Sequence, residues 1–268
     1  YVGGWFTSIG GQSRNRIAAI DVSSGTATSW DPSADNGVLT MQLSGNLMYV
    51  GGAFSSIGGQ SRSRIAAIDV NTGISSSWDP NASSYVQAMQ LSGSLLYVGG
   101  EFTSIGGQSR NYIAALDVNT GAATTWNPDG NVSVRTMQLN GSVLYVGGEF
   151  TSIGGQSRNR IAAIDINTGT ATSWDPNSNF NVYTMQLSGS VLYVGGEFST
   201  IGGQSRNGIA ALDVSTGTAT SWNPNVNGSV NSMLLNGGVM YVGGNFMSIG
   251  GQSQLYLSTI NTETGAVK

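Results

Sequence analysis

The chain has 268 residues with no cysteine and no histidine, a formal net charge of −4 and only 9% charged residues. This excludes a disulfide framework, thiolate chemistry and the usual His/Cys zinc sites, and scattered arginines without a basic face exclude nucleic acid as a partner. No apolar run approaches the roughly 20 residues of a membrane-spanning helix, so membrane insertion is not expected, nor is any metal or cofactor.

Glycine contributes 40 residues, about twice the usual share, and falls at fixed places rather than in a G-X-Y pattern. Tyr1, Tyr49, Tyr97, Tyr145, Tyr193 and Tyr241 open copies of one unit spaced by 48 residues without insertion or deletion, the last copy being partial. A period of that size signals a solenoid or a propeller, and the unbroken repeat reads as a single domain over residues 1–268.

Alternation, β-branched and aromatic enrichment and turn residues predict four short strands per unit. In the best-preserved copy they are A (Val182 to Leu187), B (Val191 to Phe198), C (Gly208 to Val214) and D (Thr218 to Trp222). The A–B connection reads as a tight hairpin on Ser44-Gly45, Ser92-Gly93, Asn140-Gly141, Ser188-Gly189 and Asn236-Gly237, pairs that supply the positive φ of a primed turn. The C–D connection, D-V-N-T-G at Asp69 to Gly73 and its copies, predicts an aspartate capping backbone N–H groups with glycine in the left-handed position, a turn brace rather than a catalytic acid. Pro32, Pro80, Pro128, Pro176 and Pro224 then end strand D, because proline cannot donate to a ladder.

Four-stranded antiparallel units of this length are β-propeller blades, so the expected fold is an all-β propeller with the B–C and D–A loops on one face. A and D are read five times, B and C six times. The count favours six blades, the first lacking A and the last lacking D. The alternative is a five-bladed ring closed by the last strand A on the first strand B, with a surplus C-terminal half blade. The Gly51-Gly52 doublet closing strand B, the Asp69-x-x-x-Gly73 turn and Trp78 ending strand D resemble Kelch-type blades and related propeller repeats of secreted bacterial proteins. The resemblance covers the whole chain and implies a blade rather than a function. The repeated I-G-G-Q-S loop departs from the Kelch pattern, so a Kelch-like partner is not implied.

Candidate ligand-binding positions fall in two sets. The loop repeats Gln60, Gln108 and Gln156 with Arg62, Arg110 and Arg158, which read either as equivalent lectin-like pockets or as ties from one blade to the next, Arg pairing with the Asp of the W-D-P turn. Where the copies disagree, packing has not forced one answer. Tyr85, Gln87, Arg135, Phe180, Tyr183 and Asn231, with Leu39, lie at the start of strand A or in the loop before it, and aromatics beside amides suit a sugar or peptide. Glu101, Glu149 and Glu197 follow the strand-B glycines, but copies on adjacent blades are too far apart to share a cation at about 2.3–2.6 Å.

No histidine base, cysteine nucleophile or G-x-S-x-G serine is present, and most carboxylates belong to repeated turns. The sequence therefore predicts a non-catalytic, extracellular binding module for a glycan or protein ligand, using the B–C and D–A loop face. The alternatives are a structural scaffold domain of a longer surface protein, a designed or amplified propeller with no native ligand, and a carboxylate-type glycosidase. Incomplete terminal blades would offer edges for strand pairing with a neighbouring chain. The chain opens on a strand residue without Met, which predicts a trimmed upstream piece.

Overall fold

The computed structural model describes residues 1–268, and the chain contains strands, turns and bends but no helix. It divides into two compact units, Tyr1–Asn127 and Pro128–Lys268. We number the blades 1 to 6 along the chain, so blades 1 to 3 make up the first unit and blades 4 to 6 the second.

Blade 5 shows how the sequence sets the sheet. Strand A is Val182–Ser188, strand B Val191–Gly196 and strand C Ile209–Asp213, joined antiparallel in the order A-B-C. Ser188 pairs with Val191, so the two loop residues are Gly189 and Ser190, one place later than the Ser-Gly pair read from sequence. Gly189 alone has φ of 56°, which makes this the Gly-X form of the primed turn. The register slips by one residue between Val182 and Thr184, a β-bulge that takes Tyr183 out of the regular alternation.

The fourth strand is much shorter than expected. Only the bridge between Leu212 and Ala219 joins it to strand C, supported by Thr220 N–H donating to the Ala211 carbonyl at 2.8 Å. Two competing bonds shorten it: Arg206 donates to the Thr220 carbonyl, and Trp222 N–H donates to the Thr220 hydroxyl at 3.3 Å. The B–C connection, expected as a plain loop, instead holds a ribbon in which Thr200–Ile201 pairs with Gln204–Ser205. Gly202 and Gly203 make its turn with φ of 59° and 75°, conformations open to glycine without strain.

Blades 2, 3 and 4 repeat this plan, and so does blade 6, whose strand A (Ser229–Asn236) pairs with its own strand B (Val239–Asn245). That pairing rules out the five-bladed alternative, in which this strand A would close on the first strand B. Blade 6 also keeps a fourth strand through the bridge between Ile260 and Val267, so the expected missing D is present. Blade 1 lacks strand A as expected, and its B and C pair only over Val2–Gly3 and Ile17–Ala18.

The core lies between consecutive blades. Along strand B, Leu192 and Val194 face one way and Tyr193 and Gly195 the other, the period of two that a pleated sheet imposes. In the second unit Tyr145, Ile161, Ala163 and Trp174 of blade 4 pack with Met185, Leu192, Val194, Phe198 and Leu212 of blade 5, and blades 5 and 6 repeat the arrangement. In the first unit the same residue types join blade 1 to 2 and blade 2 to 3. Each fully buried large side chain stabilises by about 1.5–3 kcal/mol. Polar anchors fix the spacing: Trp174 donates its indole N–H to the Asp213 carbonyl at 3.1 Å, stacks edge-on against Tyr145 at 5.0 Å, and the Tyr145 hydroxyl donates to the Val214 carbonyl at 3.0 Å.

Candidate functional site

The C–D turns are braces. The Asp165 carboxylate accepts from the backbone N–H groups of Asn167 and Thr168 at 2.9 and 2.8 Å, and those bonds hold its pKa below the ordinary 3.8. Asp21, Asp69, Asp117 and Asp213 are lowered in the same way, each chiefly by the N–H three residues on.

The repeated arginines, expected as ties from one blade to the next, are instead engaged by their own blade. Arg62 donates to the carbonyls of Ser61 at 2.7 Å and of Ser76. Arg110 and Arg158 repeat this with Ser109 and Thr124 and with Ser157 and Thr172. Arg62 and Arg158 also approach Asp79 and Asp175 of the following turns at 3.9 and 3.7 Å. The Arg62 and Arg158 side chains are only 13% exposed, which leaves their remaining N–H donors little access to a sugar hydroxyl. Gln60, Gln108 and Gln156 stand exposed on the ribbons.

The variable positions are a different matter. At three of the five bulges the strand-A residue hydrogen-bonds the residue that follows the Gly-Gly doublet, 14 places later in the sequence. In the first unit Gln87 donates to the Glu101 carboxylate at 3.1 Å, while its amide oxygen is buried without a partner. In the second unit Arg135 donates through Nε to Glu149 at 2.7 Å, and its Nη2 closes an ion pair with the same oxygen. The Tyr183 hydroxyl donates to Glu197 at 2.6 Å. Burial raises the Tyr183 pKa above its ordinary value and the Glu197 bond adds to the rise, while the Arg135 charge opposes it. Arg135, Glu149, Tyr183 and Glu197 therefore form one polar cluster within the second unit.

Sequence reading treated the strand-A residues and the glutamates as separate sets. The signal that joins them is the constant offset: Leu39 with Ala53, Gln87 with Glu101, Arg135 with Glu149, Tyr183 with Glu197, Asn231 with Asn245. Apolar goes with apolar, donor with carboxylate, amide with amide. Of the remaining candidates, Tyr85 is exposed under the Arg64 guanidinium, whose carbon lies 5.8 Å from the ring centre; Phe180 is exposed at a loop tip, and Asn231 is exposed on strand A of blade 6.

A second feature separates blade 5 from the others. The residue before strand C is Arg16, Arg64, Tyr112, Arg160, Gly208 or Tyr256, and all six have φ between 63° and 68°. Arg64 donates from Nη1 to the Phe54 carbonyl at 3.0 Å, and Arg16 donates to the carbonyls of Trp5 and Phe6 at 3.0 and 2.9 Å. In blade 5 that side chain is absent, and a cleft of about 500 Å³ lies beside Glu197, Phe198, Gly208, Gly228 and Ser229.

Comparison with known proteins places this architecture. The family described as outer membrane protein assembly factor BamB matches residues 109–267, more than half of the chain. The chain belongs to that family. A β-propeller domain of unknown function also matches, over residues 1–18 and 91–119. No curated protein sequence matches. Among solved structures, the computationally designed Ika8 protein is 14% identical with a TM-score of 0.55, over 95% of this chain and 81% of that one. The extracellular domain of BT4673 from B. thetaiotaomicron is 18% identical with a TM-score of 0.56, and the match spans 86% of this chain but only 27% of that one. A chain of the mitotic checkpoint complex is 16% identical with a TM-score of 0.57, over 86% and 62%. At these identities the likeness is one of fold, and the fold is a β-propeller of four-stranded blades.

Proposed function

We propose that the chain is a non-catalytic binding module that engages a protein ligand through the face carrying the B–C and D–A loops. The observation that carries this is the paired variation at the bulges. In an otherwise near-identical repeat, Gln87–Glu101, Arg135–Glu149 and Tyr183–Glu197 each keep mutual hydrogen bonding while changing chemistry. Pairs of that kind differ from blade to blade without disturbing the blades, as a recognition surface requires. Membership in a family described as an assembly factor favours protein over glycan. An extracellular setting is supported by the low charge and the Gly/Ser/Thr/Asn-rich composition, and a binding rather than enzymatic role by the use of most carboxylates in turns. The Kelch-like part of the resemblance, carried by Gly51-Gly52 and Trp78, is a proposal about blade kinship with no ligand attached to it.

The test is a pair of arrays, peptide and glycan, probed with the wild-type chain and with an Arg135→Ala/Tyr183→Phe double variant. Saturable peptide binding that weakens about tenfold or more in the variant, with an unchanged unfolding midpoint, supports the reading. Glycan binding alone, or peptide binding indifferent to the variant, overturns it. A structural scaffold is the second reading, favoured by the arginine braces and by the exposed apolar faces of blades 1 and 6, which would pair with the blades or strands of a neighbouring chain.

A further inference from the structure

We propose that the cleft at Gly208 binds a guanidinium group, such as the side chain of an arginine presented by a peptide. This inference rests on the binding reading of the loop face and shares one residue, Glu197, with the variable pairs, one oxygen of its carboxylate accepting from Tyr183. The repeat itself supplies the argument. In blade 2 the space beside strand C is filled by the protein's own guanidinium: Arg64 bonds the Phe54 carbonyl and lies 5.8 Å from the centre of the Tyr85 ring. In blade 1 Arg16 holds the two equivalent carbonyls, of Trp5 and Phe6. By the repeat, Phe198 and Glu197 stand in blade 5 where Phe54 and Ala53 stand in blade 2, while Gly208 replaces Arg64 and Ser229 replaces Tyr85.

The backbone is the same, since Gly208 has φ of 67° and Arg64 has φ of 66°. What changes is the filling: two side chains are lost and the cleft remains, lined by the residues that hold a guanidinium elsewhere. It is also better suited to a cation than its relatives, because the Glu197 carboxylate borders it where blade 2 has Ala53, and no cationic side chain lines it. A carboxylate beside free carbonyl lone pairs is a donor-hungry site, matched by the five N–H donors of a guanidinium.

The experiment uses the full chain, ¹⁵N-labelled and titrated with capped arginine, capped citrulline and capped lysine while the amide signals of Gly208 and Gly228 are followed by NMR. Capped arginine should give a saturable shift at these two amides, and capped citrulline, its uncharged isostere, should not. Lysine shifting them as strongly as arginine would overturn the guanidinium assignment. Gly208→Arg should abolish the shift, because it restores the filling found in blades 1, 2 and 4. A Cβ there meets the Gly228 carbonyl oxygen at 2.6 Å, so Ser229→Tyr, which closes the cleft from its other wall, serves as a second variant and should also abolish it. Glu197→Gln should weaken binding about tenfold. Absence of any shift, or an equal shift in both filled variants, overturns the proposal. Arg135→Ala alone leaves Gly208, Ser229 and the Tyr183–Glu197 bond in place, so loss of array binding in that variant with capped arginine still bound separates the two readings.

Discussion

Blades 5 and 6 share a backbone and differ in what covers them. Tyr193 pairs with Ala211 and Tyr241 with Thr259 in the same register, yet Tyr193 is 6% exposed and Tyr241 42%. Ile209 is fully buried while Leu257, its counterpart, is 67% exposed. The opposite faces do not differ in this way, for Phe198 and Phe246 are both buried. A blade therefore carries enough local information to set its strands, but only a neighbouring blade buries its Tyr/Gly/Ile face. Where that face is open the consensus relaxes, with Leu for Ile, Thr for Ala and Leu234 for Gln186. Stability in such a stack is a sum of blade and junction contributions.

The largest expected effect tests this directly. Phe198→Ala and Phe246→Ala should each cost about 3–5 kcal/mol, because both rings lie on covered faces. Ile209→Ala should cost about 2–5 kcal/mol, whereas Leu257→Ala should stay within about 0.5 kcal/mol. Urea denaturation of the four variants reads the pattern. Equal losses at Ile209 and Leu257 would mean that the outer face of blade 6 is covered in solution, and the contrast between the blades would fail.

The contrast also shows what the sequence carried. Strands A, B and C were legible because their apolar alternation and hairpin glycine recur five times and the Gly-Gly doublet six, and each feature has a local cause. Strand D was over-read from Thr218 to Trp222: its β-branched residues fit a strand, but the Thr220 hydroxyl captures the Trp222 N–H and Arg206 captures the Thr220 carbonyl that a ladder would use. The Thr200–Ser205 ribbon was missed although Gly202-Gly203 announced its turn. The polar pairs were half visible, since variable positions stood out singly while the bulge that turns Tyr183 toward Glu197 is a property of register. Gly208 was passed over because a glycine before a strand looks unremarkable until five non-glycine residues are seen to hold the same left-handed φ.

Glycine at the face distinguishes the blades again. A Cβ on Gly195 would come 2.6 Å from Cγ1 of Val230, whereas on Gly243 its one close contact would be the Ser232 hydroxyl, at 2.7 Å, with the Tyr256 carbonyl at an ordinary 3.9 Å. Gly195→Ala should therefore destabilise by about 1–3 kcal/mol through overpacking, and Gly243→Ala by less. Thermal melts of both variants check the order. A smaller difference is expected from removing hydroxyls. Tyr193→Phe loses a bond to the Thr262 carbonyl at 3.1 Å and about 1 kcal/mol, while Tyr241→Phe should leave the unfolding midpoint unchanged.

The smallest difference is one of charge, and it shows only in acid. In blade 5 the C–D turn is braced by Asp213, whose pKa is lowered below 3.8 by the backbone N–H groups of Thr216 and Ser215 and the Thr216 hydroxyl. In blade 6 the same turn is braced by Asn261, whose amide oxygen accepts from the N–H groups of Glu263 and Thr264 at 2.8 Å each. The geometry is the same and only one of the two titrates. A carboxylate whose folded pKa lies below its unfolded value stabilises the fold above the unfolded pKa, and that stability is lost as pH falls through the folded pKa. Asp213→Asn makes the blade 5 turn like that of blade 6. The variant should match the wild type to within a small offset at neutral pH, and its denaturation midpoint should fall less steeply below the ordinary aspartate pKa. Parallel pH profiles would show that the carboxylate makes the same bonds in the unfolded chain, and the two turns would then be equivalent in energy as well as in shape.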